Sequence, residues 1–98
     1  MTLQVAVLSP VGTDERLTVS SVAVSFATTW PNSATHVFVD IQDNDVMVTF
    51  DGSTPTSTNG HRFRAGDSAV WSKATATAAK FIRQGASDGV VHATPFTY

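Results

Sequence analysis

At 98 residues, 42% hydrophobic and without a cysteine, the chain has room for one domain, residues 1–98, whose single modest core is held by packing; disulfides and thiolate metal sites are excluded. A formal charge of −2 argues against a nucleic-acid partner, and no apolar run nears the ~20 residues that a membrane helix needs. Thirteen valines, fourteen threonines and ten serines stand against three leucines and one glutamate, a bias toward side chains that fit a pleated sheet, so the fold class is all-β.

In chain order, Leu3, Val5 and Val7 alternate with Gln4 and Ala6 and predict a first strand that stops at Ser9-Pro10. Residues 11–15 read as a polar connection. The pattern resumes with Leu17 and Val19, then Val22, Val24 and Phe26, changing phase at Ser20-Ser21, where a β-bulge or a break between strands is expected. Pro31 and Asn32 mark a loop over residues 28–33. Residues 35–41 form the next strand, with Val37, Val39 and Ile41 on one face and His36, Phe38 and Asp40 on the other.

Residues 42–45 make a four-residue turn into a strand of Val46, Val48 and Phe50 alternating with Met47 and Thr49, which predicts a hairpin. The stretch 46–67 organises the chain: strand, turn at Asp51-Gly52, a polar run, turn at Asn59-Gly60, the short segment His61-Arg62-Phe63-Arg64, and a turn at Ala65-Gly66-Asp67. A short strand follows at residues 68–72. Residues 74–84 suit a helix through their alanines, but the Ala/Thr alternation and Phe81-Ile82 fit a strand as well or better. After a turn cluster at 85–89, a last strand sets Val91, Ala93 and Pro95 on one side; Pro95 lacks an N–H, which places this strand at a sheet edge. About seven or eight short strands with turns between them imply a small antiparallel β-sandwich or jelly-roll-like barrel.

No motif carries catalytic chemistry. Asp40, Asp43, Asp45 and Asp51 gather carboxylates of the kind calcium takes, but their spacing lacks the glycine and terminal glutamate of a calcium loop, and solvated turn residues account for them. His36, His61 and His92 have no metal-ligand spacing, and no serine sits in a Gly-x-Ser-x-Gly elbow. The chain is therefore expected to be no enzyme and to hold no cofactor or metal. Arg62 and Arg64 flank Phe63 on one strand face; they either meet an acidic partner, or form a solvated strand face or pair within the chain with Asp51 or Asp67, with Lys80 and Arg83 close by. Most of the large aromatics, Trp71 and Phe81 among them, are expected in the core. Trp30 beside Pro31, and Phe96 and Tyr98 near the end, are candidates for an exposed partner-binding patch. The uncharged, threonine-bearing face of residues 74–77 suits strand pairing between subunits. No charged-then-apolar leader opens the chain, so no export signal is expected.

From Val37 onward, Asp51-Gly52, Pro55-Thr56, Gly60-His61, Ala65-Gly66-Asp67 and Phe81-Ile82 resemble the turn and strand motifs of small tailed-bacteriophage virion proteins. That resemblance implies a small β-sandwich in the phage particle, made in the host cytoplasm and binding the major capsid protein or other virion proteins as an oligomer. It would decorate or cement the head, or serve as an accessory piece of the tail or neck. Charged residues at only 14%, against the usual quarter, agree with a life inside an assembly. A carbohydrate- or receptor-binding module is the alternative, drawing on exposed aromatics with Asp and Asn in loops.

Overall fold

The computed structural model describes residues 8–98, so the strand expected over Leu3, Val5 and Val7 lies outside the described residues. Alternation becomes architecture in β3 (His36–Gln42), where Val37, Val39 and Ile41 are buried while Phe38 is exposed. The same period in β8 (Gly89–Thr97) buries Val91, Ala93 and Pro95. These two strands pair antiparallel and form the middle of the first sheet. β6 (Ser68–Ser72) lies on the far side of β3, and β1 (Ser9–Pro10) and β2 (Glu15–Val19) share the far side of β8. The second sheet is β5 (His61–Phe63), β4 (Val46–Thr49) and β7 (Lys80–Arg83). Among the described residues, eight strands in two antiparallel sheets make the all-β, sandwich-like fold the composition implies.

The core lies between the sheets. The first supplies Val19, Val37, Val39, Ile41, Val91 and Ala93; the second supplies Val46, Val48 and Phe81. A chain of aromatic rings runs through it, Trp30 on Phe26 at 5.4 Å, Phe26 on Phe81 at 5.2 Å and Phe81 on Trp71 at 6.1 Å. Trp71 in turn meets Phe50 at 5.1 Å and Phe63 at 5.7 Å, both edge-to-face. Offset and edge-on arrangements of this kind set the positive ring edge against the negative face.

Three expectations are corrected. The turn at residues 42–45 is an arch and not a hairpin, because β3 belongs to one sheet and β4 to the other. Asp43 takes φ +70° and Asn44 donates to the Gln42 carbonyl at 2.9 Å, which swings the chain across the core. Asn44 also donates from Nδ2 to the Asp88 carbonyl, and a Cβ on Gly89 would stand 2.7 Å from the Asn44 carbonyl oxygen, so only glycine admits the arch there.

The last strand is central, although Pro95 argued for an edge. A strand residue turns its N and its C=O the same way, and the Pro95 carbonyl accepts from Val11 N–H at 2.9 Å. The missing donor therefore faces the gap where β1 has ended and β2 has not begun, and no ladder bond is lost to β3.

Residues 74–84 divide between helix and strand. Ser72 caps α1 (Lys73–Ala78) by accepting from Thr75 N–H, Ala76 points into the core, and β7 begins at Lys80. Subunit pairing through an extended 74–77 face is thereby removed. Ser9-Pro10, where the first strand does end, is itself paired, with Thr97 and Phe96.

The phase change at Ser20-Ser21 is a break that moves the chain between sheets. Val19 pairs with Gly89 in the first sheet, the Ser20 carbonyl accepts from Arg83 N–H at 3.0 Å, and Val24 exchanges two bonds with Phe81 in the second. Val22, in the middle of this passage, is exposed.

Glu15 ties the next segment down, its carboxylate accepting from Ala27 N–H at 2.9 Å and Thr28 N–H at 2.8 Å. Burial pushes its carboxyl up, but the Thr28 hydroxyl and the two backbone N–H groups outweigh that and hold it below the ordinary 4.5. A depressed carboxyl adds stability that is present above the unfolded value and lost as pH falls through the folded one. Between about pH 6 and about pH 3, the urea midpoint of the wild type should therefore fall further than that of Glu15→Gln. Equal falls would show that Glu15 contributes no pH-dependent stability.

Candidate interaction surface

The stretch 46–67 does what its turn residues prescribe. All four residues of β4 are buried, Val46 and Val48 toward the core and Met47 and Thr49 on the opposite face. Residues of the 51–60 loop fold back over that opposite face. Pro55 is fully buried, Thr49 Oγ1 donates to the Ser53 carbonyl at 2.6 Å, and Lys80 Nζ donates to the Gly52 carbonyl at 3.0 Å. Gly60 returns the chain at φ +135° with its α-carbon against β4, where an added Cβ would stand 3.0 Å from the Val48 carbonyl oxygen. The motif residues are thus occupied with turns.

The carboxylates proposed for calcium are spread over separate tasks. Asp45 accepts from Ala65 N–H and from Arg62, and these two, in that order, hold its carboxyl below the usual range. Asp51 is likewise lowered, by the Ser53 hydroxyl and then the Ser53 N–H. Asp40 accepts from Gln42, and Asp43 carries the arch. The histidines are equally scattered: His36 bonds Thr35 Oγ1, His61 lies against Phe50 and His92 faces Asp14. Among the described residues no three His, Asp or Glu side chains converge as a metal cage would need.

The arginine pair splits. Arg62 makes a 2.7 Å ion pair with Asp45, neither of the two carboxylates expected. Half exposed and screened by solvent, that pair adds little stability. Arg64 keeps an exposed side chain while its N–H is capped by Asp67. Lys80 and Arg83 have other partners, the Gly52 carbonyl and Asp88. Trp30 is corrected outright: it is 5% exposed and belongs to the core.

Phe96 and Tyr98 do reach a surface, in company that the sequence reading did not assemble. On the outer face of the first sheet, His36 pairs with Phe96, and Phe38 pairs with Val70 on one side and Thr94 on the other. Tyr98, 71% exposed, meets the His36 ring edge-on at 5.3 Å. Val70 is 54% exposed and Phe38 39%. The alternation of β3 had already put His36 and Phe38 on one face; what it lacked was the pairing that lays Val70 and Phe96 beside them. The next row, Asp40, His92 and Arg16, is polar and forms a rim. An apolar centre with a polar rim is the anatomy of a protein contact surface.

A second feature is a shallow groove of about 360 Å³ lined by residues of the 49–61 stretch, including Phe50, Asp51, Asn59 and His61. No helix among the described residues is long and apolar enough to cross a membrane. The chain has no significant match among protein-family models, curated proteins or solved structures.

Proposed function

We propose that the chain is a non-enzymatic structural protein of a tailed-bacteriophage particle, which decorates or cements the head by binding the major capsid protein or another virion protein. The observation that carries this reading is the outer face of the first sheet, where Phe38, Val70, Phe96 and Tyr98 form an apolar surface. An apolar sheet face with a polar rim suits another protein better than a small molecule, which a concave pocket would hold. The resemblance of the 51–67 turns to those of small virion proteins supports the same reading.

Mass spectrometry of purified particles tests it. Copies in fixed proportion to the major shell protein are expected, and absence from the particle sinks the assignment. Phe38→Ala and Tyr98→Ala should each keep the fold and weaken shell binding roughly tenfold or more, the behaviour of an interface anchor. Shell binding at wild-type strength by both variants would remove this face from the interface.

The groove beside Asp51 and His61 favours a second reading, a tail or neck accessory protein that binds a carbohydrate receptor. It combines a ring, a carboxylate and an amide, groups that stack on and hydrogen-bond to sugars. A copy number matching the single tail vertex, with saturable glycan binding, would favour it. No binding across a broad glycan array would eliminate it.

A further inference from the structure

Sheet edges aggregate unless they are defended, and most edges of this fold are. β5 is three residues long and carries Arg62, β2 carries Glu15 and Arg16, and the outer edge of β7 is met by Val24. β6 differs. Its sequence, Ser68-Ala69-Val70-Trp71-Ser72, has no charge and no proline, and no described residue pairs with its outer edge.

The hydrogen bonds show which groups that edge presents. Ile41 N–H donates to the Asp67 carbonyl and Lys73 N–H to the Thr35 carbonyl, so residues 67, 69, 71 and 73 turn their backbone groups toward β3. Ser68 and Val70 then turn both of theirs outward and Ser72 its N–H, the Ser72 carbonyl being taken up by the first turn of α1, and all three residues are exposed. From this the geometry points to a symmetric dimer in which β6 pairs antiparallel with β6 of a second copy about a two-fold axis through Val70.

In that register Val70 opposes Val70 of the second copy, and Ser68 opposes Ser72. The Val70 pair exchanges both of its backbone bonds, and at each end Ser72 N–H donates to the Ser68 carbonyl; such positions set α-carbons ~5.5 Å apart. The flanking residues are of opposite sign: Asp67 at one end of the strand falls opposite Lys73 of the second copy, and the reverse holds at the other end. A slip of two residues would set Asp67 against an uncharged residue and lose both attractions. The outer faces join as well, giving an apolar row of Phe38 and Val70 followed by their symmetry mates. The isologous contact closes on itself, so it gives dimers and not fibres. It defines how copies of this chain meet whether or not they sit in a phage particle.

Light scattering on the isolated full chain, across a concentration series, tests the dimer. A mass of twice the 10.4 kDa chain is expected. Val70→Lys sets two like charges on the axis and should give a monomer with an unchanged circular dichroism spectrum, since Val70 is solvent-facing. Asp67→Lys and Lys73→Asp should each weaken dimerisation roughly tenfold by opposing like charges, and the double exchange should restore it. Because Asp67 also caps Arg64 N–H and Lys73 Nζ also donates to the Pro31 carbonyl, rescue by the double variant separates the dimer contact from the turn and the loop. A wild-type monomer at every concentration, a Val70→Lys dimer, or no rescue by the exchange overturns the contact. Any of these leaves the particle reading to be decided by copy number.

Discussion

Replacing Phe81 with alanine is expected to cost about 3–5 kcal/mol, the range for deleting a fully buried aromatic side chain. Phe81 is wholly buried and faces the interior from β7, where Phe26 stands edge-on to its ring and Trp71 stacks on it. Removing the ring breaks the aromatic chain in the middle and leaves a cavity between two sheets. Those sheets cannot simply close on it, because each is held by its own ladder. The backbone bonds to Val24 are untouched, since N–H and C=O of residue 81 point along the sheet and not into the core. A domain of this size has ~5–15 kcal/mol in all, so the variant would lose a large share of it. With an m-value near ~2 kcal/mol/M, the urea midpoint would fall by roughly 2 M with the slope unchanged. A loss below about 1 kcal/mol would mean that the site collapses around the gap, and that the two-sheet core is softer than its packing implies.

How much of this was legible in the sequence depends on the physical question asked. Which side chains face inward is a local property of a pleated strand. Val37, Val39 and Ile41, and again Val91, Ala93 and Pro95, read correctly from their two-residue period. Turns are local too, and Gly52, Gly60 and Gly66 take the positive φ that their neighbours announced. Which strand pairs with which is not local. Val46 and Val48 face the core whether residues 42–45 form a hairpin or an arch, so alternation cannot separate the two; only Asp43 at positive φ and the cramped Gly89 do so. Pro95 illustrates the same limit, for its lost donor matters only against a neighbour, and that neighbour is interrupted there. The short helix after Ser72 needed its cap to be weighed against an Ala/Thr alternation that mimics a strand. The candidate surface was half visible: the closing aromatics named Phe96 and Tyr98, and the alternation of β3 placed Phe38 on the face away from Val37 without marking it as a contact. Its remaining member, Val70, joined them only through strand pairing.

Trp30→Ala is the variant that best separates loop chemistry from core chemistry, and its expected loss is one of stability. A tryptophan beside a proline in a polar loop looks like an exposed anchor. Here the loop wraps inward, with Ala34 N–H on the Pro31 carbonyl at 2.9 Å and Lys73 Nζ on the same carbonyl at 3.0 Å. That pinned turn drives the indole onto Phe26 and into the core. Truncation should therefore cost about 3–5 kcal/mol, which for a domain this small lowers the thermal midpoint by roughly 15–30 °C. Under conditions where the variant remains folded, partner binding should stay at the wild-type level, because the ring is covered. Trp30→Phe, which keeps an edge-to-face contact with Phe26, should recover part of the loss. The opposite pattern, wild-type stability with lost binding, would require the indole to lie outside, and with it the loop that Lys73 and Ala34 hold closed.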